Sequence, residues 1–65
     1  MMLINGQDVS TMSYMVARNH LIGYREEKVV LVADDKDHSV RIAMINDAIN
    51  DLSLRVQKAL VEEMR

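Results

Sequence analysis

Between His38 and Met64 the chain has neither glycine nor proline, and its apolar residues recur at helical spacing. Ile42, Ile45, Ile49, Leu52, Val56 and Ala59 step by three and four residues, a seam held for about three heptads. The pattern predicts one long helix over about residues 38–64, with Asp37 or Ser39 as N-cap and Arg65 at the negative end of its dipole. Such a helix is about 39 Å long at 1.5 Å per residue. A compact globule of this chain length is only about 28 Å across. The helix is therefore expected to overhang its own domain by roughly two turns unless something covers the excess.

The helix also carries more apolar surface than one face holds. At 100° per residue, a second three-four pattern runs opposite the seam through Ala43, Asn50, Leu54, Gln57, Val61 and Met64. A helix with two apolar stripes is buried on two sides. One stripe is expected to cover the rest of the domain, and the other to pair with the same helix of a second copy. Asn50 in that stripe suits a register-setting role, since a polar residue in a helical seam costs stability but fixes alignment. The plain alternative is that Asn50 and Gln57 simply face solvent. The positions flanking the first seam form no charge-paired zipper, so that seam is expected to pack on a sheet.

The remainder reads as α+β. Lys28-Val29-Val30-Leu31-Val32-Ala33 is an apolar, β-branched run, as in a strand covered on both faces. With His20-Leu21-Ile22-Gly23-Tyr24 as its antiparallel neighbour, it predicts a β-hairpin over about residues 20–33, turning at Arg25-Glu26-Glu27. Asn5-Gly6 is a turn signal. Beyond it, Val9, Met12, Val16 and His20 share one face of a short helix capped by Asp8 or Ser10 and ending near Asn19. The competing reading makes Met2 to Ile4 and Ser10 to Ala17 two strands around that turn. The whole, residues 1–65, is one small domain.

Composition removes several kinds of function. Without cysteine there are no disulfides and no thiolate zinc site. The formal net charge of -2 argues against nonspecific polyanion attraction as the main activity. No apolar run approaches a membrane span, and the start lacks a basic signal-peptide region, so a cytoplasmic protein with no membrane partner is expected. The serines lack a nucleophile-elbow context, and Gly6 and Gly23 are too few for a phosphate-cradling loop. No enzymatic activity and no cofactor are expected.

Three clusters carry candidate chemistry. Asp34, Asp35, Asp37 and His38 gather oxygens and an imidazole, yet the glycine-centred calcium loop and any HExxH pair are missing. They read better as a solvated connection whose acids favour the following helix N-terminus. Asp51 and Arg55, four apart, read as an i,i+4 ion pair rather than acid-base machinery. Arg18, His20, Tyr24, Arg25 and Lys28 form a local basic cluster with one ring, a possible contact for a partner or an anion. Among the methionines, Met12 and Met44 suit gap-filling in a core without Phe or Trp, and Met15 and Met64 suit exposure at a binding surface.

The expectation is a small, non-enzymatic, homo-oligomeric interaction protein: an adaptor, inhibitor or regulator that docks on another protein. The rival from another class is a nucleic-acid-binding transcriptional regulator using Arg18, Arg25, Lys28 and Arg41. A third is a binder of a small anionic ligand at the oligomer interface, through Arg25 or Arg41.

Overall fold

The computed structural model describes residues 2–64. Its elements in chain order are two short strands, β1 (Leu3–Ile4) and β2 (Gln7–Asp8), a 3-10 turn (Val9–Thr11), and two helices, α1 (Tyr14–Ala33) and α2 (Ser39–Glu63). Asn5-Gly6 closes a two-residue hairpin that pairs Leu3 with Asp8 and Ile4 with Gln7. Both turn residues have positive φ, 51° at Asn5 and 80° at Gly6. That geometry matches the right-handed twist of paired strands, and it is why Asn-Gly is favoured there.

The N-terminal helix expected near residues 8–19 is interrupted. Asp8 caps only the 3-10 turn, its Oδ1 accepting the Ser10 N–H at 3.0 Å. The chain then extends through Met12 (ψ 141°) and Ser13 (ψ 164°). Ser13 becomes the N-cap, its Oγ accepting the Val16 N–H at 3.3 Å. From there α1 runs past Asn19 to Ala33. The alternative second strand over residues 10–17 is likewise absent, because β2 occupies Gln7–Asp8.

The β-hairpin expected over residues 20–33 is overturned, since the whole span lies in α1. A short apolar run cannot be assigned to strand or helix by periodicity alone. The intervening Arg25-Glu26-Glu27 has good helix formers and no residue that demands a turn. As a helix, the span turns Leu21, Tyr24 and Leu31 inward, leaves Lys28 half-buried at the edge, and leaves Val29, Val30 and Val32 exposed. A strand buried on both faces would have hidden all three valines.

Helix α2 forms where the seam places it. Ile45, Leu52 and Ala59 are buried, and Ile42, Ile49 and Val56 are half-buried. Its N-cap residue is His38, which makes no side-chain cap bond, but Asp37 Oδ1 accepts the Ser39 N–H at 2.9 Å. Arg65, expected at the dipole's negative end, lies outside the described residues.

The seam does not rest on a sheet. It packs on α1, against which α2 returns antiparallel after the short 34–38 connection, and on the N-terminal segment. The core joins Ile4, Val9 and Met12 of that segment to Ala17 and Leu21 of α1 and to Ala48 and Leu52 of α2. Arg55 ties the segment down: its Nε donates to the Met12 carbonyl at 2.6 Å, satisfying backbone freed by the break before α1. At the far end, Glu63 Oε2 accepts the Tyr14 N–H at 3.2 Å.

The molecule is a rod of 46 × 19 × 15 Å with a radius of gyration of 12.8 Å. The globule assumed for the overhang estimate is therefore the wrong shape. Helix α1 runs beside α2, so no overhang needs a second copy to cover it. No helix among the described residues is long and apolar enough to cross a membrane.

Candidate functional site

Two helices and a strap leave distinct faces. Taking 100° per residue, the strap of residues 2–12 covers one flank of the helical pair. There it lies against Tyr24, Met44 and Ala48, and against Asp51 and Arg55 further along α2. Among the described residues, none covers the opposite flank or the outer faces of the two helices.

The outer face of α2 is the stripe expected to mediate self-association. All six of its residues, Ala43, Asn50, Leu54, Gln57, Val61 and Met64, are exposed. Leu54 is 67%, Val61 54% and Met64 77% accessible, so three large apolar side chains line up on water. Val40, 77% accessible, lies near the patch at the helix start, and Met44, 57% accessible, is exposed beside the strap. Met44 thus joins the surface rather than the core it was expected to fill. Met12 is fully buried and Met15 exposed, as their positions required. Asp47, Asp51 and Lys58 border the stripe, all exposed. No ion pair forms among them in the single chain, and Arg55, expected to pair with Asp51, turns instead to the Met12 carbonyl and to Glu62 at 3.5 Å.

Helix geometry splits the basic cluster. Arg18, Arg25 and Lys28 fall along the uncovered flank of α1. No carboxylate of the described residues lies within ion-pair distance of them. His20 and Tyr24 turn to the other flank, where they line a shallow cleft with Glu27 and Arg41. Arg41, a candidate anion ligand, is already engaged there: its Nε and Nη2 donate to the two Glu27 carboxylate oxygens at 2.7 and 3.0 Å. The guanidinium holds the Glu27 carboxyl below its ordinary value of 4.5, and the carboxylate in turn raises the Arg41 pKa.

The acidic connection spends its oxygens locally. Asp34 Oδ2 lies 2.8 Å from His38 Nε2, and Asp34 Oδ1 accepts the Lys36 N–H at 3.3 Å. The hydrogen bond with His38 lowers the Asp34 pKa, and the Ser39 N–H does the same for Asp37. These contacts arrest α1 and start α2. Among the described residues, no three acidic or histidine side chains converge as a metal site would require.

An open groove of about 480 Å³ lies between the strap and α2. Met2, Val9 and Leu54 give it an apolar base, and Asp8, Asp51 and Lys58 ring it. No nucleophile with a neighbouring base lies in it, since Ser10 is its one hydroxyl and no histidine lines it. Sequence reasoning did not find this groove, because it needs the strap and α2 side by side; the Asn5-Gly6 turn was the only local hint.

No protein-family model matches the chain, and neither does any curated protein or solved structure.

Proposed function

We propose that this protein is a small non-enzymatic interaction module that self-associates through the outer face of α2 and docks on another protein. One observation carries the reading: Leu54, Val61 and Met64 stand in a row on water, more than half exposed, along a helix whose other side is already packed. A contiguous exposed apolar stripe on a small protein marks an interaction site or an aggregation liability.

The charges bordering that stripe choose the pairing direction. Acids (Asp47, Asp51) occupy its first half and a base (Lys58) its second. A parallel copy sets Asp47 against the partner's Asp47 and Lys58 against the partner's Lys58, which is repulsive. An antiparallel copy centred near Leu52 and Ser53 sets Lys58 against the partner's Asp47, Leu54 beside the partner's Asn50, and Val61 over the partner's Ala43. The contact is isologous, so it closes at two. Asn50 and Gln57 then sit inside the contact, where a misaligned register would leave their amides unpaired.

Light scattering across a dilution series tests this. The expected result is a mass of two chains that falls to one on dilution, and a monomer for L54E/V61E with helicity retained. K58D weakens the dimer and D47K/K58D restores it. A wild-type monomer at about millimolar strength, where even a weak dimer with a Kd near 1 mM is populated, removes the reading.

A further inference from the structure

The uncovered flank of the helical pair differs from the outer face of α2 in its chemistry. Its floor is aliphatic: Ile49 and Val56 of α2, both half-buried, beside the buried Leu21 of α1. One wall is basic, formed by Arg18, Arg25 and Lys28; the other, Asn46 and Ser53, is polar and uncharged. Those three cations have no carboxylate partner among the described residues, whereas Arg41 and Arg55 both do.

We propose that this flank is a docking site for an acidic amphipathic helix of another protein. An apolar floor between two helices receives the apolar face of a third, as helix-in-groove recognition requires. The wall then selects its charge. Arg18 and Arg25 are one heptad apart, about 10.5 Å along the axis, the spacing of residues i and i+7 on an opposing helix. Glutamates at that spacing meet both guanidiniums in turn, and Lys28 meets a third acid one turn beyond Arg25.

A second copy does not pair symmetrically through this flank. Flank on flank would bring three cations against three with no acid between them, and like charges across an interface are excluded by their repulsion. A polynucleotide satisfies the cations but leaves Ile49 and Val56 uncovered, since its charged backbone cannot take up an aliphatic floor. The acidic helix satisfies floor and wall together. This site is separate from the self-association stripe and does not depend on it.

The test uses the full chain and labelled synthetic peptides of about five helical turns, with leucines at a and d positions and glutamates flanking them. A second peptide carries lysine at every glutamate. Fluorescence anisotropy is expected to show saturable binding of the acidic peptide, at least tenfold tighter than the basic one and weakening as salt rises. R18E/R25E changes two exposed side chains and keeps the fold. It is expected to lose roughly tenfold for the acidic peptide and to gain affinity for the basic one, a reversal that mere unfolding cannot produce. Amide shifts on titration are expected at Ile49, Ser53 and Val56. L54E/V61E, monomeric under the preceding proposal, retains peptide binding.

Several results overturn the inference: no binding of the acidic peptide, equal affinity for the two peptides, or an unchanged preference in R18E/R25E. Shifts confined to Leu54 and Val61 do the same, as does a single-stranded oligonucleotide that binds more tightly than the acidic peptide and loses its affinity in R18E/R25E. That last outcome makes the flank a nucleic-acid surface.

Discussion

Gly23 sits in the middle of α1, where a residue without a side chain gives up the most conformational freedom on folding. A Cβ built there meets nothing within 4 Å. Gly23→Ala is therefore expected to stabilise the protein by about 0.5–1 kcal/mol, read from urea unfolding followed by circular dichroism. Gly6 is the opposite case. Space is open there too, but its φ of 80° strains any side chain, so Gly6→Ala is expected to destabilise by roughly 1 kcal/mol in the same assay. Arg55 shows how one side chain can belong to packing when its spacing points to a surface pair. Its spacing from Asp51 is that of an ion pair, yet it is only 14% exposed and donates to the Met12 carbonyl at 2.6 Å. Arg55→Met keeps the stem but leaves that carbonyl unpaired, and is expected to cost about 1–3 kcal/mol in the unfolding midpoint.

Among elements, the α1–α2 connection is held by carboxylates that work only when ionised. Glu27, Asp34 and Asp37 all have pKa values lowered in the folded chain, by Arg41, His38 and the Ser39 N–H respectively. A group whose folded pKa lies below its unfolded one binds more protons when unfolded, so stability rises with pH through that window. Their contribution is complete above the ordinary values of 4.5 for Glu27 and 3.8 for the aspartates, and is lost as pH falls through the lower folded values. Melting temperature is expected to drop on acidification below about pH 4.5, with a shallower acid limb in E27Q/D34N/D37N. All three groups are exposed, so salt is expected to flatten the same limb in the wild type.

At the scale of the whole molecule, a two-helix rod with a strap has a thin core, and few residues hold it. Leu52 is fully buried where strap, α1 and α2 meet. Leu52→Ala is expected to cost about 2–5 kcal/mol, enough to unfold a domain this small at ambient temperature, as loss of the cooperative thermal transition in circular dichroism. The sequence by itself determined α2, its inward seam and its outer stripe. Those depend on a period of 3.6 residues that no neighbour can alter, and the φ values at Asn5-Gly6 are equally local. Tertiary structure decided the rest. The 28–33 run carries apolar residues without a period that separates strand from helix, and only packing Leu21, Tyr24 and Leu31 on α2 makes it helical. That same packing splits one basic cluster onto two flanks, uncovers three valines, and turns the expected globule into a rod. The two candidate surfaces differ in legibility for this reason: one lies along a single helix, whereas the other exists only where two helices lie side by side.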